Sequence, residues 1–313
     1  MGRRPPPTVE VRSTLEGRYG PAMTREGTTP FSDGETWYRV AGSLDEGVPL
    51  IALHGGPGAT HDYLLSLADL AHGRAVVHYD QIGNGRSTHF PERGAEYWTV
   101  DLFVRELQSL VAGLGIREHH VLGQSWGGFL AQEYALTQPE GLRSLVLADT
   151  AASWADFATE AGKLRAQLPL DVQATLAKHE AAGTYDDPEY ADACQVFYDR
   201  HVCRIPYPPE VAASFEWLER DPTVYRTMNG PSEFHIIGSC KDWHVKDRLH
   251  EIRVPTLLVS GRHDEATPAL QQVLLDGIPN AEWVLFEESS HMPHVEERER
   301  YLQVVGDWLA AHD

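Results

Sequence analysis

Ser125 lies in Gly123-Gln124-Ser125-Trp126-Gly127-Gly128, between the apolar run VLGQ and the helical pattern GFLAQEYAL. A serine on a sharp strand-to-helix turn projects its hydroxyl clear of the backbone, and flanking glycines spare the neighbouring chain from side-chain clashes. The chemistry open to it is attack on a carbonyl. A hydroxyl is a weak nucleophile near neutral pH, so a base must take its proton and a carboxylate must hold that base in the right tautomer. The expected chain order is Ser, Asp, His. Asp264 follows the apolar run TLLVSG in Arg262-His263-Asp264, and His291 follows EWVLFEE in Ser289-Ser290-His291. Alone, Asp264 reads as a turn or helix-cap carboxylate, and His291 as one of 16 histidines. Their joint position at two strand ends singles them out. His263 and His294 are neighbours of the pair, and His291 is preferred as the first histidine after its strand.

Acyl transfer also needs donors for an oxyanion, usually the N–H after the nucleophile and one from an earlier strand-to-helix loop. Trp126 supplies the first. Gly56 supplies the second, from His54-Gly55-Gly56-Pro57-Gly58 after the run PLIAL. No HExxH is present, and HMPHVEE would have to gather metal ligands from a loop, so no metal is expected. Gly83-Asn84-Gly85 lacks the third glycine of a dinucleotide-binding turn, so no cofactor is expected either. Serine rather than aspartate at the nucleophile position argues against dehalogenase or epoxide-hydrolase chemistry.

These groups need a scaffold that brings several strand ends together. Apolar runs recur at 36–40, 49–54, 75–80, 119–124, 144–149, 256–261 and 282–287. Several are continuous rather than alternating, as in strands buried on both faces of a mainly parallel sheet. Helical patterns separate many of them: VDLFVRELQSLVAGLG (100–115) has apolar residues three and four apart, and GFLAQEYALTQP (128–139) stops at proline. Alternating strand and helix gives the α/β class, and the nucleophile turn makes it the α/β-hydrolase fold. From about 151 to 250 the strand signal gives way to stretches such as FATEAGKLRAQL and EVAASFEWLERD. A helical cap at 151–250 is therefore expected over the sheet's C-terminal edge, inserted into a core of 1–150 and 251–313.

Composition narrows the partners. Hydrophobic residues at 42% and charged residues at 23% of 313 indicate a packed globular chain. A formal net charge of −20 repels nucleic-acid phosphates and anionic lipid, so neither is an expected partner. A small-molecule substrate is expected instead. Cys194, Cys203 and Cys240 form no CxxC pair, and three cysteines cannot all pair within one chain. The opening MGRRPPPTVEVRSTLEGRYG has no apolar h-region, so a cytoplasmic location is expected.

HGGPG, DQIGNGRS (80–87), GQSWGG, VYRTMNGPSEF (224–234), KDW (241–243), GRHDEATP (261–268) and SSHMPH (289–294) occur in that order. With these motifs the chain resembles the proline iminopeptidase family from about residue 30 onward. Within the family, HYDQIGNGRSTH and FEESSHMPHVEER look most like the L-proline amide hydrolases. The resemblance implies the same triad and adds an anchor for the substrate's free amino group, Glu233 with Glu265, and a tyrosine near the reacting centre, Tyr225. Trp126 stands where other members often have tyrosine.

An α-amino group with a pKa of about 8 is mostly protonated at neutral pH, and a prolinium nitrogen offers two N–H donors. Two carboxylates could take one each, whereas an N-acylated substrate would leave both anions unpaired. The expected reaction is hydrolysis of the amide bond after a free L-proline or similar small amino acid. Release of proline from peptides is the alternative, followed by an esterase; a ligand-binding protein on a hydrolase scaffold is the non-enzymatic one. The segment 151–250 is expected to offer Trp217 and Trp243 as aromatic walls, and it carries no basic cluster to receive a peptide's carboxylate.

Overall fold

A computed structural model describes residues 23–313, so the proline run at 5–7 and the rest of the opening segment lie outside the described residues. The strands are β1 (Thr24–Phe31), β2 (Gly34–Ala41), β3 (Leu50–Leu53), β4 (Val76–Tyr79), β5 (His119–Gln124), β6 (Leu142–Ala148), β7 (Thr256–Gly261) and β8 (Ala281–Phe286). They form one sheet in the order β1-β2-β4-β3-β5-β6-β7-β8. The pairs β1/β2 and β2/β4 are antiparallel, and every later pair is parallel.

Continuous apolar runs are explained by the two faces of this sheet. Side chains alternate along a strand, so Ile51, Leu53, Val77, Val121, Leu145 and Leu147 enter one core, while Leu50, Ala52, Val76, Leu122, Val146 and Ala148 enter the other. The first core packs against Phe103 and Leu107 of helix α1 (Val100–Gly113) and Phe129 and Leu130 of α2 (Trp126–Leu136). The Thr99 side chain caps α1 by accepting from the Leu102 N–H, an interaction of about 1 kcal/mol. Leu64 and Leu67 of a 3-10 helix (His61–Leu70) cover the second core from the opposite side.

Between β6 and β7 the chain is helical: α3 (Trp154–Arg165), α4 (Leu170–Ala182), α5 (Pro188–His201), α6 (Pro209–Arg220) and α7 (Thr223–Met228). Three helices follow: α8 (Pro268–Gly277), α9 (Pro293–Glu296) and α10 (Arg298–Ala311). Leu270 and Leu274 of α8 join the first core, and Tyr301 and Val305 of α10 the second. No helix among the described residues is long and apolar enough to cross a membrane.

Candidate active site

β5 ends at Gln124, α2 begins at Trp126, and Ser125 between them has φ 56° and ψ −122°. A non-glycine residue in this region costs about 1–3 kcal/mol and persists only where its surroundings enforce it. Here the Ser125 N–H donates to the Ala148 carbonyl at 2.9 Å, while the Ser125 carbonyl accepts from the Gly128 N–H and the Thr150 hydroxyl, both at 2.8 Å. The glycines are required by close approach. A Cβ on Gly123 would lie 2.1 Å from the Gly127 carbonyl oxygen, and one on Gly127 would lie 2.1 Å from that of Leu53. The turn can thus be this tight only without side chains at both positions.

Asp264 and His291 follow β7 and β8. The His291 Nδ1–H donates to Asp264 Oδ1 at 2.7 Å, and the Ala266 N–H donates to the same oxygen at 2.8 Å. That bond fixes the proton on Nδ1 and turns Nε2 towards the cavity that Ser125 also lines. Burial alone would lower the His291 pKa, but the charge and hydrogen bond of Asp264, with Glu233 and Glu296 beyond, hold it above the ordinary histidine value. His263 is exposed. His294 is buried and donates from Nε2 to the Tyr63 carbonyl at 3.1 Å; burial pushes its pKa down to about 3.

Trp126 is the first residue of α2, so its N–H is among the amides that no helical carbonyl reaches. Gly56 lines the same cavity as Ser125. A hydrogen-bonded chain that sequence reasoning missed joins the loops. The Gly55 N–H donates to the Tyr63 hydroxyl at 2.7 Å, Tyr63 donates to Gln124 Oε1 at 2.5 Å, and Gln124 Nε2 donates to the His291 carbonyl at 2.8 Å. Gln81 ties in a fourth segment, accepting from Trp126 Nε1 and donating to the His54 carbonyl.

Glu233 and Glu265 line the cavity beside Ser125 and His291. The Tyr225 hydroxyl donates to Glu233 Oε1 at 2.7 Å, which accounts for that tyrosine's place in the site. Glu265 is fully buried, Oε1 is 3.7 Å from His291 Nε2, and neither carboxyl oxygen has a hydrogen-bond partner among the described residues. Burial raises the pKa of both glutamates, and for Glu265 the charges of Glu233 and Asp264 raise it further. Two carboxyl groups therefore share one cavity, and no lysine or arginine lines it among the described residues.

The remaining walls are largely apolar: Val202, Val211, Phe215, Leu218 and Met292. The expected aromatic walls are corrected by this geometry. Trp243 donates from Nε1 to Glu133 and packs on Phe129, while Trp217 stacks with Arg86 and Arg220, so neither faces the cavity. Helical periodicity identified α6 without fixing which of its aromatic residues points inward.

Residues 48–298 match the α/β hydrolase fold family. A proline iminopeptidase of Lactobacillus helveticus is 38% identical over 298 residues, covering 92% of this chain and 98% of that protein. One from Heyndrickxia coagulans is 38% identical over 293 residues, covering 92% and 99%. The chain belongs to the proline iminopeptidase family of α/β hydrolases. Two solved structures extend the likeness. VinJ superposes with a TM-score of 0.91 at 52% identity, covering 92% of this chain and 99% of VinJ. The proline iminopeptidase of Mycobacterium smegmatis gives 0.85 at 47%, covering 92% and 98%. Membership in the proline iminopeptidase family agrees with the resemblance carried by the HGGPG, GQSWGG and SSHMPH motifs.

Proposed function

We propose that this chain is a serine hydrolase that cleaves the amide bond after a free N-terminal L-proline or similar small L-amino acid, through an acyl-enzyme and without a cofactor. The observation that carries this reading is the pair Glu233, half-buried, and Glu265, fully buried, in one cavity with Ser125 and His291. A carboxyl pair with no lysine or arginine beside it among the described residues suits a substrate that brings its own cation, and an ammonium held there puts its carbonyl beside the serine.

In this mechanism His291 Nε2 takes the Ser125 proton as Oγ attacks the substrate carbonyl, and Asp264 steadies the imidazolium. The Gly56 and Trp126 N–H groups stabilise the oxyanion. His291 then protonates the leaving amine, and water repeats the sequence to release the amino acid. Tyr225 holds Glu233 towards the ammonium. Residues 151–250 act as a cap on the core formed by 1–150 and 251–313, contributing Glu233 and the apolar walls. A cytoplasmic setting suits the three buried free cysteines.

No lysine or arginine lines the cavity among the described residues. This favours an uncharged leaving group, so prolinamide should be a better substrate than Pro-Xaa dipeptides with free carboxylates. The names of the relatives favour the peptidase alternative. Comparing kcat/KM on prolinamide, Pro-Xaa dipeptides and longer proline-led peptides separates the two: a dipeptide preference at low and high salt assigns peptidase activity. Ser125→Ala should fold, lose nearly all turnover and show no acylation burst. Turnover near wild type in that variant would remove the serine mechanism.

A further inference from the structure

Asp149 follows β6 directly and adopts φ 50°, a left-handed backbone that non-glycine residues seldom take without cause. Its N–H donates to the Val259 carbonyl at 2.9 Å, and its Oδ1 accepts from the Gly261 N–H at 3.2 Å. The side chain is fully buried. One oxygen from each aspartate and a ring nitrogen of His291 lie within 4.8 Å of one another. Asp149 Oδ2 and Asp264 Oδ2 are both buried, and neither has a hydrogen-bond partner among the described residues.

Two facing carboxylate oxygens repel unless a proton lies between them, and a buried pair shares one because both cannot ionise. Asp264 Oδ1 already accepts from Ala266 and His291, whereas Asp149 accepts one bond, from Gly261. The charge is therefore better supported on Asp264, and the proton belongs on Asp149 Oδ2. We infer that Asp149 is a positioning residue: a neutral carboxylic acid whose O–H donates to Asp264 Oδ2 and fixes the carboxylate that orients His291. Both carboxylate oxygens of Asp264 are then held by hydrogen bonds. Burial and the neighbouring Asp264 also raise the Asp149 pKa well above the ordinary carboxylate range.

This inference rests on the triad reading, and Ser125→Ala with Asp264→Ala tests that reading separately. Asp149→Ala should lower kcat on prolinamide about tenfold or more, with KM changed by less than about threefold. Asp149→Asn should recover most of that loss, because its Oδ1 can accept from Gly261 and its Nδ2–H can donate to Asp264. The far-downfield proton signal of His291 Nδ1–H should shift or broaden in Asp149→Ala and return in Asp149→Asn. Circular dichroism checks that each variant is folded. Wild-type kcat and an unchanged Nδ1 signal in Asp149→Ala, with Ser125→Ala and Asp264→Ala inactive, would overturn this inference alone. Should Asp149→Ala not fold, a folded Asp149→Asn as impaired as Asp264→Ala would overturn it, since the side chain would then be needed as an anion. Loss of wild-type activity on dialysis against a chelator, restored by zinc, would also overturn it by making the cluster a metal site.

Discussion

At Glu265 a carboxyl group whose two oxygens have no hydrogen-bond partner among the described residues lies 3.7 Å from the His291 imidazole. Its desolvation is repaid only by an incoming cation, so the residue is poorly placed for stability and well placed for binding. Glu233→Gln and Glu265→Gln should each lower kcat/KM on prolinamide by roughly tenfold or more, the equivalent of a charged hydrogen bond of about 1.5–3 kcal/mol. An uncharged acyl ester should lose much less; equal losses on both substrates would assign the glutamates to support of the fold. Ser125, Asp264 and His291 stood out because each lies at or soon after the end of an apolar strand. Tyr63 and Gln124 did not, because their bonds span 61 and 167 residues and leave no local pattern. Asp149 had the same strand-end signal as Asp264 in SLVLAD, but no rule required a second acid there.

Among elements, the turn between β5 and α2 is the least tolerant of change, and α3 offers a useful contrast. Gly127→Ala drives a methyl into the Leu53 carbonyl, so it should cost at least the ~1–3 kcal/mol typical of overpacking and lower soluble yield. Gly162 lies exposed within α3, and an added Cβ would meet nothing within 4 Å. Gly162→Ala should therefore raise the urea midpoint, by up to ~1 kcal/mol in stability. If the two variants melt alike, the steric account of the turn fails. The buried strands were readable because both of their faces are apolar. β1 was not, because TREGTTPF contains glycine, proline and charge; it is an edge strand, where proline and charge are tolerated.

Across the whole molecule, buried ionisable groups should narrow the pH range of stability from both sides. Burial lowers the pKa of His54, His119 and His120 to about 4 and of His78 and His294 to about 3. Below about 6.5 the unfolded chain binds protons that these folded imidazoles refuse, so stability falls as pH drops from there towards 3–4. Glu106 acts in the other direction. Its Oε1 accepts from the Thr36 hydroxyl and the Ile82 N–H, and burial lifts its pKa to about 8. Between about 4.5 and 8 the unfolded chain has released a proton that the folded chain retains, so stability falls as pH rises. Glu106→Gln should gain on wild type across this window by at most about 1.4 kcal/mol per pH unit, read from urea midpoints at pH 5 and 8. Parallel pH curves for the two proteins would refute the assignment. The glutamate cradle, finally, sets the order in which products depart. In the proposed reaction, acylation frees the amine first, while the amino acid keeps the ammonium that Glu233 and Glu265 would hold. On that reading proline would leave last, and as the last product out it would compete with substrate for the empty enzyme, which adding free proline to the prolinamide assay would show as competitive inhibition.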